Sequence, residues 1–140
     1  MNFSKYINVY KKFLHTSLAS ELEYQTNILV DLITAILSLI GSIFLLSIFF
    51  QNNGYIGGWK FEEALIIQGI YTILNGITNT WFNPNLTEIV KHIREGTLDF
   101  VLLKPIDSQF FISLKKINPS GFLEIMLGFF LLFYLSLIHI

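Results

Sequence analysis

Apolar positions recur at helical steps from the start of the chain. Over residues 3 to 24, Phe3, Tyr6, Ile7, Tyr10, Phe13, Leu14, Leu18 and Leu22 are spaced by three or four, with Lys5, Lys11, Lys12 and Glu23 mostly between them. An apolar stripe with an aromatic edge and lysines suits a helix lying in the membrane interface, or one packed on a neighbouring domain. A membrane span follows directly, which favours the interface. Leu32 to Phe50 runs for 19 residues without a charge, and thirteen of them are Leu, Ile or Phe. Those side chains favour insertion by roughly 4 to 8 kcal/mol. Asp31, at the edge of the run, reads as a boundary residue that reaches water.

Gln51 to Lys60 is a polar turn in which Asn52, Asn53, Gly54, Gly57 and Gly58 break the helix, with Tyr55 and Trp59 suited to the headgroup level. Ala64 to Phe82 is a second uncharged run of 19 residues. Its polar residues Gln68, Thr72, Asn75 and Asn79 fall at i, i+4, i+7 and i+11, on one narrow helical face. Lipid tolerates such a face poorly, so it is expected to be buried in protein or to line a wet cavity, with Ile73 facing lipid.

Asn83 to Ser120 is the longest polar stretch. Leu86, Ile89, Val90 and Ile93 form an amphipathic helix there, with Asn85 and Glu88 spaced as a capping box and Gly96 placed to end it. Leu98 to Leu103 is apolar until Pro105 stops it. Asp107 can cap a further helix with Phe110, Phe111 and Leu114 turned inward. Asn118-Pro119 closes the stretch, and Phe122 to Ile140 is a third apolar run, interrupted only by Glu124. The pattern predicts an all-α integral membrane protein. Residues 1–27 are its interfacial helix; 28–50, 61–82 and 121–140 are its spans; 83–120 is the loop between the second and third.

Composition agrees. The chain is 53% hydrophobic and 14% charged, against about 25% charged for soluble domains. Without cysteines it has no disulfide scaffold, cysteine zinc site or thiol nucleophile. The N-terminus lacks the continuous apolar core of a signal peptide. The nine Lys and Arg residues sort unevenly. Lys5, Lys11 and Lys12 lie in the first helix, Lys91, Arg94, Lys104, Lys115 and Lys116 in the 83–120 loop, and Lys60 alone in the short turn. The positive-inside rule makes the side holding eight of them cytoplasmic, N-terminus included.

No catalytic constellation stands out, and no cofactor, metal or nucleic-acid partner is expected. His15, His92 and His139 are isolated, Glu62-Glu63 reads as a solvated boundary, and no Gly-x-x-x-x-Gly-Lys-Ser/Thr phosphate loop is present. Any nucleotide energy must come from another chain. The basic, amphipathic 83–120 loop suits a docking surface for a soluble partner, or a helix resting on anionic lipid.

The run Arg94-Glu95-Gly96-Thr97-Leu98-Asp99-Phe100-Val101-Leu102-Leu103-Lys104-Pro105, followed by Asp107-Ser108-Gln109-Phe110, resembles the signature of bacterial type-2 ABC exporter permeases. Leu22-Glu23-Tyr24, Gly57-Gly58-Trp59 and Asn83-Pro84-Asn85-Leu86 match in order; Gln25 stands where an arginine is usual. The resemblance implies a bacterial inner-membrane subunit, itself without enzymatic activity, that pairs with a separate ABC ATPase whose ATP cycle moves a substrate outward. It places the coupling helix at Leu86 to Glu95 and the connecting helix at the N-terminus. The residues it assigns to ATPase coupling are Leu86, Glu88, Ile89, Val90, Lys91, Ile93, Arg94, Gly96, Leu98, Asp99, Lys104 and Pro105. Family members usually have six spans, and three here correspond to the N-terminal half. Further permease spans or a second permease subunit are therefore expected beside membrane lipid. The alternative is a non-transporting membrane adaptor or assembly factor that recruits a partner through the same loop.

Overall fold

The structure, a computed structural model, describes residues 3–23, 25–51 and 55–138. Tyr24, Asn52, Asn53, Gly54 and His139, named above, lie outside the described residues. The first helix, α1 (Phe3–Glu23), is followed by α2 (Gln25–Phe50), a hairpin of β1 (Tyr55–Ile56) and β2 (Trp59–Lys60), and α3 (Phe61–Ile77). A π-helical turn (Thr78–Phe82) joins α3 to α4 (Asn83–Arg94). Two short helices follow, α5 (Leu98–Leu102) and α6 (Ser108–Leu114), and then α7 (Gly121–Ile138).

The hairpin turns on Gly57 and Gly58, at φ +58 and +89. Positive φ at both central residues gives the twist that antiparallel strands need. The backbone N–H of Lys60 donates to the Glu63 carboxylate at 2.8 Å and caps α3. Among the described residues, two helical segments, Thr26–Phe50 and Gly121–Ile138, are long and apolar enough to cross a membrane. The segment expected as the middle span is helical throughout, but its α-helical part is 17 residues and the π turn prolongs it.

The most extensive helix contact joins α3 and α7, and glycines permit it. A Cβ on Gly76 would lie 2.8 Å from the Gly121 carbonyl oxygen and 2.8 Å from the Ile125 nitrogen. One on Gly128 would lie 2.9 Å from the Gly69 carbonyl oxygen. Gly76 thus faces Gly121 and Gly69 faces Gly128, two pairs seven residues apart on antiparallel helices. Small residues at such positions let backbones approach where lipid gives no hydrophobic drive to associate. Ile73, expected to face lipid, packs instead at this interface: its side chain and nitrogen stand where a Gly128 Cβ would go. Its position two residues from Asn75 does not decide its direction; the close helix approach does.

α2 packs more loosely, joining Leu65, Leu131 and Leu135 through Leu39, Ile43 and Leu46 near the hairpin end. Elsewhere it leaves Leu37, Phe44 and Phe49 exposed, as α7 leaves Met126, Phe130 and Phe133.

Candidate coupling junction and polar cleft

α3, the π turn and α4 form one uninterrupted helix from Phe61 to Arg94, roughly 50 Å at the usual rise. The expected capping box at Asn85 is therefore absent. The helix does not begin there, because Phe82 and Asn83 already have helical backbone angles. Pro84 sits inside it, and a proline inside a helix has no N–H for the carbonyl four residues back. That carbonyl belongs to Thr80, and it accepts from the Asn118 N–H instead, at 2.9 Å. The π turn beside the proline is the usual local adjustment where the hydrogen-bond ladder is interrupted.

Asn85 is buried and does other work. Its amide donates to the Trp81 carbonyl and to the Lys116 carbonyl, both at 2.7 Å, and its oxygen accepts from the Lys116 N–H at 2.9 Å. One turn on, the Glu88 carboxylate meets Lys115 Nζ at 2.9 Å and Lys116 Nζ at 2.8 Å, with His92 Nε2 at 3.6 Å. Asn85 and Glu88 together clamp Lys115-Lys116, main chain and side chains, to α4. Just beyond, Asn118 accepts from the Ser120 N–H and hydroxyl and opens the first turn of α7. Thr80, fully buried, donates to the Gly76 carbonyl and packs on Gly121. The junction fastens α4 to the beginning of α7.

The Lys116 and Lys115 ammonium groups hold the Glu88 carboxyl well down, from 4.5 to about 2. A lowered folded-state pKa means stability that is complete above pH 4.5 and lost as pH falls towards 2. Thermal unfolding in detergent is expected to lose midpoint across that window, and Glu88→Gln to lose less over the same range. Equal acid sensitivity in the two proteins would contradict the clamp.

The opposite side of α4 is bare. Leu86, Val90 and Ile93 are more than half exposed, with Lys91 and Arg94 exposed around them, while Ile89 is half-buried. The helix ends as expected at Gly96, at φ +65; the Thr97 N–H returns to the His92 carbonyl and the Gly96 N–H to that of Ile93. Leu98 is half-buried, Asp99 is exposed, and Phe100 and Leu103 are among the most exposed apolar residues of the chain. Lys104 stands 3.9 Å over the Phe111 ring, and the Pro105 carbonyl accepts from Lys5 Nζ at 2.9 Å. Asp107 caps α6 through the Phe110 N–H at 2.7 Å.

α1 lies against this assembly. Tyr6 meets Phe110 and Phe13 meets Phe111 edge to face, Trp81 Nε1 donates to Tyr10 Oη, and the Ile117 N–H donates to Ser17 Oγ. One face of the N-terminal helix is thus packed on protein, while Ile7 and Leu18 stay exposed.

The polar face of the middle helix opens on α2. Asn75 donates to the Glu124 carboxylate at 2.8 Å and Asn79 to both its oxygens at 3.1 and 3.0 Å. Thr72 donates to the Gln68 carbonyl at 2.9 Å, and the Gln68 amide reaches Thr72 Oγ1 at 3.5 Å. A cleft of about 540 Å³ runs between α2 and these residues, lined by Asp31, Thr34 and Ser38 on one side and Asn79, Asn83 and Glu124 on the other. Gln68, Thr72 and Asn75 continue it in a smaller recess. Asn75 itself remains exposed at the rim. Asp31, read as a boundary residue, and Glu124, which interrupts the third apolar run, line one polar cleft. Among the described residues no group of acids and histidines is arranged for a metal.

Sequence reasoning missed Pro84 as a ladder break, Lys115-Lys116 as the target of Glu88, and the glycine pairs. Of these, the glycine pairs left a trace: glycines seven apart in two apolar segments. Against known proteins, the model of a family described as ABC-2 family transporter protein matches residues 36–140. No match was found among curated proteins or among solved structures. The matched stretch takes in most of α2, the hairpin, the α3–α4 helix, the clamp and α7, so the chain belongs to the ABC-2 family of transporter proteins.

Proposed function

We propose that the chain is a membrane-spanning permease subunit of an ATP-driven exporter, coupling a separate ATPase to substrate movement. Residues 28–50, 61–82 and 121–140 form three spans in a bacterial inner membrane, with 1–27 at its surface and 83–120 facing the cytoplasm. Contacts of α1 with the 83–120 segment support that arrangement, because they gather eight of nine cations at one end. ATP hydrolysis belongs to the partner.

One observation carries the reading: α4 offers an exposed apolar face on one side and is clamped to the start of α7 on the other. A coupling element needs both, a surface to dock a motor and a stiff link to a span. The cleft lined by Asn79 and Glu124 favours a permease over an adaptor, which would need the docking face alone. Further permease spans or a second subunit would cover the bare faces of α2 and α7 and complete a path.

The exposed Val90 and Ile93 are better probes than half-buried Ile89. Val90→Asp with Ile93→Asp is expected to cut ATPase co-purification about tenfold or more while leaving membrane insertion intact. Lys91→Ala with Arg94→Ala should cost less. Unchanged recovery with the aspartates would contradict docking through this face; unchanged recovery together with weakened contact of the loop with anionic lipid in the alanine pair would mark a leaflet-bound helix instead.

A further inference from the structure

We infer that the cavity between α1 and the α6 segment binds the phosphate headgroup of an anionic phospholipid. The site goes beyond coupling and transport. The cavity holds about 630 Å³ and is open on one side. Lys104, Lys115 and Lys116 line it, and Glu88 is the carboxylate paired with the last two. Among the described residues no carboxylate pairs with Lys104, whose ammonium rests on the Phe111 ring. Three cations against one anion leave a surplus of positive charge that an incoming phosphate would neutralise.

The other walls suit the rest of such a molecule. Thr16 and Ser20, one turn apart on α1, bring hydroxyl donors to the same cavity. Phe13 and Phe111, stacked edge to face with centroids 5.6 Å apart, give it an apolar floor. Ile117 and Asn118 line it too, four and three residues before α7 begins. The cavity therefore sits at the end of an apolar helix fit to cross the bilayer, where headgroups lie. Basic pockets at the cytoplasmic ends of membrane helices recognise anionic headgroups through these same interactions. Such a site requires that α7 cross the membrane, as proposed above, and is independent of ATPase coupling.

The test uses the chain reconstituted in vesicles of equal parts phosphatidylcholine and phosphatidylglycerol, with native mass spectrometry of the lipid it retains on extraction. Phosphatidylglycerol should be retained in preference. Lys104→Gln should lower that preference about fivefold, and Lys104→Arg, which keeps the charge, should preserve it. Thr16→Ala with Ser20→Ala, which leaves every lysine in place, should lower it as well. Equal retention of the two lipids would overturn the proposal, as would an unaltered preference in Lys104→Gln. In a separate arm, inorganic phosphate is added to protein in pure phosphatidylcholine. If it raises the unfolding midpoint as much as phosphatidylglycerol does, the site takes soluble phosphate and the lipid assignment fails.

Discussion

Gly76→Leu is expected to abolish the close packing of α3 on α7 and, with it, most of the protein that survives mild detergent. A side chain at residue 76 would start from a Cβ 2.8 Å from the Gly121 carbonyl oxygen and 2.8 Å from the Ile125 nitrogen. Both are backbone atoms and cannot rotate away, so the helices must separate. Overpacking of a tight interface costs on the order of 1–3 kcal/mol, occasionally more. Here separation would also pull Thr80 off Gly121 and loosen the Gly69–Gly128 pair. Gly41 of α2 is the control: a Cβ there meets nothing within 4 Å, so Gly41→Leu should be neutral or slightly stabilising through helix propensity. The measurement is the thermal unfolding midpoint of both variants in the same detergent. Similar midpoints for Gly76→Leu and the unaltered chain would mean that α3 and α7 do not meet through these glycines.

Asn85→Leu is the second large effect. Asn85 is buried and serves three backbone groups, the Trp81 carbonyl and both the N–H and carbonyl of Lys116. Leucine fills a similar volume but leaves the Lys116 N–H and carbonyl without that partner, at about 1–3 kcal/mol for each buried group that finds no water. The Lys115-Lys116 segment would then hang on Glu88 alone. The exposed apolar face of α4, proposed above as the docking surface, lies on the other side and is untouched. The expected outcome is a protein of lower stability that still captures the proposed ATPase partner but no longer transmits motion to α7. Co-purification and unfolding measured together check it; loss of capture with unchanged stability would place Asn85 in the docking surface instead.

The fold was legible where one segment alone decides the outcome. The helix α1 over Phe3–Glu23, the apolar run of α2, the Asp107 cap and the Gly96 stop each depend on side chains a few residues apart. What could not be read depends on partners far along the chain. Glu88 and Asn85 fit the spacing of a capping box, yet they act on Lys115 and Lys116, whose approach is set by the packing of α6. The polar face Gln68, Thr72, Asn75 and Asn79 was visible, but its counterpart Glu124 was not, because nothing in a single helix shows which face a second one presents. Pro84 most changed the architecture. Read locally it sits in a loop; in the structure it lies inside a continuous helix, because Asn118 takes up the carbonyl it abandons.

If the clamp is the coupling link, α4 and α7 move together while α2 stands apart across the polar cleft. The chain has no cysteines, so spin labels can be placed one pair at a time at exposed sites. Labels at Thr87, exposed on α4 away from the Leu86, Val90 and Ile93 face, and at Phe130 report α4 against α7, and labels at Leu37 and Phe130 report α2 against α7. Distances are measured by double electron–electron resonance in lipid nanodiscs with the proposed ATPase partner bound, before and after ATP. The prediction is an unchanged Thr87–Phe130 distance and a shifted Leu37–Phe130 distance. A shifted Thr87–Phe130 distance with Leu37–Phe130 fixed would contradict it.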